Sequence, residues 1–185
     1  MIQKITIVDG NPDSGKNPLN SFIEELTLAL KAGNSHVDIF HLSEKNIKQC
    51  IGCWDCWWKT PGVCRFNDDA PETLKSIINS DLVIYSSPMI MGMYSAILKK
   101  FHDRTIPLVH PYIKIVEGEY HHKKRYPNYP KMGVLVEPND SSKEELELVE
   151  KIFSRIKLNF HSEVKFFYSI NSINPKQLSH EISHL

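Results

Sequence analysis

Apolar and polar positions divide this chain into alternating strand-like and helix-like stretches. Ile5-Thr6-Ile7-Val8 is a short β-branched run, apolar on both faces as a buried parallel strand is, and it stops at Asp9-Gly10-Asn11-Pro12. From Leu19 the apolar residues Phe22, Ile23, Leu26, Leu28 and Leu30 recur at roughly helical spacing, and Gly33-Asn34 supplies the stop. Residues 36–40 alternate polar and apolar, which suits a strand nearer a sheet edge. Asp68-Asp69-Ala70-Pro71 reads as a helix start, acidic and with proline in its first turn; Leu74, Ile77 and Ile78 form the inner stripe up to Asn79. The stretch from Asp81 to Ser86, containing Leu82-Val83-Ile84-Tyr85, is the clearest central strand, and it ends in Ser86-Ser87-Pro88, where a loop opens. Helical spacing returns from Tyr94 to His102. Strands at 132–136 and 164–168 bracket a long helix from about Ser142 to Asn159, and after Pro175 the pattern predicts a weak or missing last helix.

Strands alternating with helices predict an α/β fold: a doubly wound, five-stranded parallel sheet with helices on both faces. Ligands of such folds bind beyond the carboxyl ends of the strands at the switch point, so the loops after Val8, Tyr85 and Val136 are expected to converge. One stretch, 111–130, breaks the alternation. It holds Tyr112, Tyr120, Tyr126, Tyr129, His121, His122 and Lys123-Lys124-Arg125, and its Glu117-Gly118 pair predicts a small hairpin inserted before the fourth strand. Such a hairpin is a surface flap, a subunit contact or a lid over a bound ligand; its four tyrosines favour a covered position.

Composition narrows the function classes. At 185 residues the chain fits one domain of ordinary size, and 41% hydrophobic residues with 22 basic against 22 acidic ones describe a globular protein. Neutrality gives no reason to expect a nucleic acid or an anionic membrane surface as partner. The apolar run before Asp9 is too short for a signal segment or a membrane span, so a cytoplasmic protein is expected. All four cysteines, Cys50, Cys53, Cys56 and Cys64, fall in one segment, which in a reducing compartment suggests metal, iron–sulfur or thiol chemistry.

Three loops are candidates for a ligand site. The first, residues 10–21, joins a strand to a helix, where backbone N–H groups and the helix dipole favour an anion. Asn11, Pro12, Ser14, Asn17, Asn20 and Ser21 are its candidate contacts; it matches neither a Walker A loop nor the dinucleotide glycine fingerprint. The second, with Ser87, Pro88, Met89, Ile90, Met91 and Gly92, combines main-chain polar groups with flexible apolar side chains, which suits a flat heteroaromatic ring. The third begins at Glu137 and could cover one side of that ring; an ordinary helix N-cap at Asp140 or Ser141 reads the same residues equally well. The cysteines, spaced by two, two and seven residues, admit three readings: four thiolates on a [4Fe–4S] cluster, a zinc site, or a metal-free loop packed through its thiols and tryptophans.

The run from Cys50 through Cys53-Trp54-Asp55-Cys56-Trp57-Trp58-Lys59-Thr60-Pro61-Gly62-Val63 to Cys64, then Asp68-Asp69, Ser87-Pro88 and Leu98-Lys99-Lys100-Phe101-His102-Asp103-Arg104, resembles the NADPH-dependent FMN reductase and iron–sulfur flavoprotein family. The resemblance covers roughly the first two thirds of the chain, and the insert with His122 and Arg125-Tyr126 resembles members of that group as well. It implies a flavodoxin-like sheet, FMN, NAD(P)H as electron donor, a small-molecule or protein electron acceptor, a [4Fe–4S] cluster on the four cysteines in part of the family, and a homodimer or homotetramer. Two departures stand out. Where the family often has Gly-Ser-Pro-Arg, this chain has Gly10-Asn11-Pro12-Asp13, an anion for a cation, with Lys16 as the residue that could restore the balance; and Ile90 stands where a tyrosine is common, so that Tyr94 becomes the candidate aromatic contact. Two other functions fit the same features: an electron-transfer iron–sulfur flavoprotein without its own hydride donor, and a non-catalytic redox- or metal-sensing module.

Overall fold

The computed structural model describes residues 2–15 and 17–185. In chain order the elements are β1 (Lys4–Asp9), α1 (Pro18–Ala32), β2 (His36–His41), α2 (Asp55–Trp58), α3 (Ala70–Ile78), β3 (Leu82–Ile90), β4 (Met93–Tyr94) and α4 (Ala96–His102). Then follow β5 (Val109–Val116), β6 (Glu119–Lys124), β7 (Lys131–Glu137), α5 (Lys143–Phe160), β8 (Val164–Ser169) and α6 (Pro175–Ser183). Five strands pair in parallel in the order β2-β1-β3-β7-β8, so the winding reverses between β1 and β3.

Because side chains alternate across a strand, each central strand supplies both cores. Val8, Val83, Tyr85, Val134 and Val136 face α3, α4 and α5, meeting Leu74, Ile77, Leu98, Phe101, Val149 and Phe153. Ile5, Ile7, Leu82, Ile84 and Leu135 face the other way, onto Leu19, Ile23 and Leu26 of α1 and Leu178 and Ile182 of α6. Helix starts are set locally. Asn17 caps α1 ahead of Pro18, Ser95 caps α4, and Ser142 with Glu145 forms a reciprocal capping box on α5.

Two expectations need correction. The last helix is present: Asn174 caps it, Pro175 opens it, and Leu178 and Ile182, one turn apart, are buried against α1. Only two apolar positions carry it, too thin a stripe to see without its partner. β3 does not end at Ser86. It continues through Ser87 and Pro88, which stay in register with Val136 and Glu137, then turns at Met91-Gly92 and pairs back with β4. The residue before a proline is itself pushed toward extended backbone, so Ser87-Pro88 prolongs the strand where a loop was expected.

β5 and β6 form a separate antiparallel pair around a Glu117-Gly118 turn in which both residues have positive φ, the hairpin turn that fits strand twist. It rests on α5 and the residue after it: His121 bonds Asn159, His161 bonds the His122 carbonyl, and Glu119 pairs with Arg155. Among the described residues, no helix is long and apolar enough to cross a membrane.

Candidate functional site

At the carboxyl end of β1, buried Asp9 ties three strands together. Its Oδ1 accepts from the Asn11 backbone N–H at 3.1 Å and from the Ser86 hydroxyl at 3.0 Å, and its Oδ2 lies 2.8 Å from Nδ1 of His41. That hydrogen bond raises the His41 pKa above its ordinary value, against the opposing effect of burial. Beyond it the first loop folds onto itself. The Asn11 amide donates to the side-chain oxygens of Asn17 and Asn20, and the Asn17 and Asn20 amides donate to the carbonyls of Asp13 and Gly15. The exposed Asp13 carboxylate accepts the Gly15 N–H at 2.8 Å. Ser14 and Ser21 line a cavity beside Asp9, His41 and Glu24, and Pro12 is exposed. Lys16, the residue named for balancing Asp13, lies outside the described residues.

Gly10 allows the first loop to reach α4, since a Cβ there would sit 2.6 Å from Cβ of Leu98. Its N–H donates to the Ser86 carbonyl at 2.8 Å, and its carbonyl accepts from the Ser95 hydroxyl. Ser87 is buried, its hydroxyl accepting the Ser95 N–H and donating to the Pro88 carbonyl; Met89 is buried as well. Ile90 and Met91 are the reverse, 44% and 99% exposed at the tip of the β3–β4 turn. Gly92, at φ +76°, leaves room for Glu145 of α5. Asn139 donates its amide to the Met89 carbonyl at 2.9 Å and so ties the third loop to the second, while burial pushes the Glu137 carboxyl up. The three loops thus meet at the switch point, and exposed apolar side chains stand beside them. Such a surface fits a flat ring, while the Asp13 carboxylate, by accepting a loop N–H, competes with a phosphate for it.

The cysteine segment makes a second centre. Gly52 and Trp54, both at positive φ, bend the chain before α2, and Trp57 of α2 donates its indole N–H to the carbonyls of Ile106 and Val109. Cys50, Cys53, Cys56 and Cys64 all line one cavity of about 90 Å³, together with Trp54, Trp57, Phe66, Arg104 and Ile106. Among the described residues no group of three or more His, Cys, Asp or Glu side chains is placed to hold a metal ion. A water needs about 10–15 Å³ of such room, so the cavity has space for a body larger than one water. Burial, and then the three neighbouring thiols, push Cys56 up to about 11. Arg104 walls the cavity with its side chain 1% exposed, its Nη1 at 2.6 Å and Nη2 at 3.0 Å from the Asp68 carboxylate. Burial pushes Asp68 up, but Arg104 and the N–H groups of Lys48 and Ala70 outweigh it and hold the carboxyl below its usual range. α4 connects the centres: Leu98 lies against Gly10, and Arg104 follows in the turn just after the helix ends at His102.

Residues 3–124 match the family described as NADPH-dependent FMN reductase. The chain belongs to that family. Among curated relatives it is 32% identical over 105 residues to an iron-sulfur flavoprotein of Methanocaldococcus jannaschii, covering 57% of this chain and 53% of that one. It is 30% identical, with the same coverage, to an iron-sulfur flavoprotein of Methanosarcina thermophila. The chain therefore spans about half the length of the curated relatives it matches. Solved structures share the fold: an NAD(P)H:quinone oxidoreductase from Methanothermobacter marburgensis superposes with a TM-score of 0.68 at 15% identity, covering 100% of this chain and 99% of that one. An FMN-dependent NADH-azoreductase from Bacillus anthracis does so at 0.62 and 12% identity, covering 98% and 95%. The sheet is flavodoxin-like, as the sequence led us to expect.

Of the residues named from the sequence, Asn11, Asn17, Asn20, Ser87, Met89, Ile90, Met91, Gly92 and Glu137 sit around one end of the sheet. Asp9, His41 and Ser95 were not named as site residues, and Arg104 was named only within the Leu98–Arg104 motif that carries the resemblance. Asp9 had a visible signal, a carboxylate closing an apolar strand; the others depend on contacts that only the folded chain makes.

Proposed function

We propose that this protein is an FMN-dependent oxidoreductase that draws electrons from NAD(P)H and passes them to a flavin, a quinone or a protein acceptor. The observation that carries this reading is the meeting of three strand-end loops at the switch point, with Ile90 and Met91 presented to solvent beside them. When bound, FMN supplies the chemistry, taking hydride from the nicotinamide and giving up electrons to the acceptor. The chain's part is to hold and shield the ring. Met89 to Gly92 and Asn139 provide its bed, and the first loop and the start of α1 face its phosphate. The test is fluorescence titration of the purified protein with FMN, followed by NADH and NADPH oxidation with a quinone or free flavin. No flavin binding would overturn the reading and favour the sensing module; binding without nicotinamide oxidation would favour the electron carrier.

A second reading concerns the cysteines. Four cysteines lining one small cavity favour a [4Fe–4S] cluster held by Cys50, Cys53, Cys56 and Cys64 over a metal-free loop. Anaerobic preparations should then contain near-stoichiometric iron and sulfide, and serine at any one cysteine should remove the cluster while FMN stays. Absence of iron and sulfide overturns it. As a whole the chain reads as one flavodoxin-like domain with an inserted hairpin at about 111–130, working as a homodimer or homotetramer in the cytoplasm.

A further inference from the structure

Arg104 has five N–H donors, and the structure accounts for its two terminal nitrogens. Nη1 gives to the Lys48 carbonyl and one Asp68 oxygen, Nη2 to the other. The carboxylate therefore takes the guanidinium end-on, and the edge carrying Nε is left over. Nε is buried and has no hydrogen-bond partner among the described residues. An unmet donor on a charged group in a low-dielectric site is costly, and a native protein keeps one where something else accepts it. What lies there is the cysteine cavity, which Arg104 lines together with all four cysteines. The Asp68 pair and the Phe66 ring, 5.3 Å from the guanidinium carbon, fix the fork in that orientation.

We infer that Arg104 is the positioning residue of the cysteine centre, its unpartnered Nε–H free to donate to a sulfur of the group the thiolates would hold and thereby to set that group's reduction potential. This rests on the cluster reading above. Four thiolates gather negative charge, and reduction adds one more; a cationic N–H directed at one sulfur stabilises the reduced form more than the oxidised form and raises the potential. Asp68 is the device that aims it. Lysine in place of Arg104 keeps the charge but cannot reproduce the planar fork.

The experiment compares anaerobically purified wild type, Arg104→Lys, and the double variant Asp68→Asn with Arg104→Gln, which removes both charges and leaves neither buried alone. Iron and acid-labile sulfide are counted first, and then cluster and FMN are titrated separately by their visible bands. The expected result is a full cluster in wild type and, at fixed poise, about a tenfold lower ratio of reduced to oxidised cluster in Arg104→Lys, as the loss of one charge-assisted hydrogen bond implies. For a one-electron couple that is about 59 mV. The FMN potential should stay where it was. If Arg104→Lys does not retain iron, the same comparison is read on the double variant. Wild type without iron and sulfide would overturn the cluster reading and this inference together. A full cluster with an unchanged potential in the variants overturns this inference alone.

Discussion

The Asp13 side chain shows how one residue can alter a loop without altering the fold. Its carboxylate accepts the Gly15 N–H, in the segment where a flavin phosphate would look for such donors, and the three asparagine amides are engaged by their own loop. A few ångströms from a phosphate, that charge repels by several kcal/mol before screening. Replacing Asp13 by serine should tighten FMN binding about tenfold and leave riboflavin, which lacks the phosphate, unaffected; the ratio of the two Kd values checks it. The exchange of cation for anion was legible in Gly10-Asn11-Pro12-Asp13, but the direction in which the carboxylate points was not, because it is fixed by a backbone N–H two residues on. His102 makes a second residue-scale prediction. Its ring lies among Tyr85, Tyr94 and Phe153 with Nε2 shielded and unpartnered, and burial, aided by Lys99 and opposed by Asp103, pushes it down to about 3. The unfolded chain binds that proton below about pH 6.5 and the folded chain does not, so stability is full above 6.5 and falls by up to about 1.4 kcal/mol per unit as the pH drops towards 3. Urea midpoints between pH 7 and 4 should show the slope, and His102→Phe should lessen it.

Among the elements, α6 was weakly visible in the sequence, and its two buried residues, Leu178 and Ile182, fasten it to α1. Leu178 is 0% exposed and its helix lies along α1, so Leu178→Ala should cost about 2–5 kcal/mol, measured by urea denaturation. β1, β3 and β7 were legible because strands buried on both faces are written as nearly continuous apolar runs, and the edge strand β2 was legible from its alternation. The continuation of β3 through Ser87-Pro88 was not, since its evidence lies in pairing with β7. The cysteine segment falls between these cases. Its spacing was plain, yet the cavity depends on Arg104, 40 residues beyond Cys64, and on the distant pairing with Asp68 that aims it.

At the scale of the molecule, the hairpin divides its tyrosines. Tyr126 and Tyr129 pack inward, the Tyr129 hydroxyl donating to the Leu108 carbonyl, whereas Tyr112 and Tyr120 remain exposed with Ile113 and Ile115. If that face meets another copy, Ile115→Glu with Tyr120→Glu should lower the mass found by light scattering and leave FMN affinity intact; unchanged mass would mark it as open surface. A last consequence comes from where the indoles are. All three tryptophans, Trp54, Trp57 and Trp58, stand within five positions of one another beside the cysteines, and Trp54 and Trp57 are in edge contact, 4.8 Å between ring centres. Excited near 295 nm, about where tyrosine stops absorbing, the whole protein would emit from that one locality. Its fluorescence would therefore be dark with an absorbing inorganic centre alongside, bright once that centre is stripped, and a record of the local opening of this segment while circular dichroism follows the sheet.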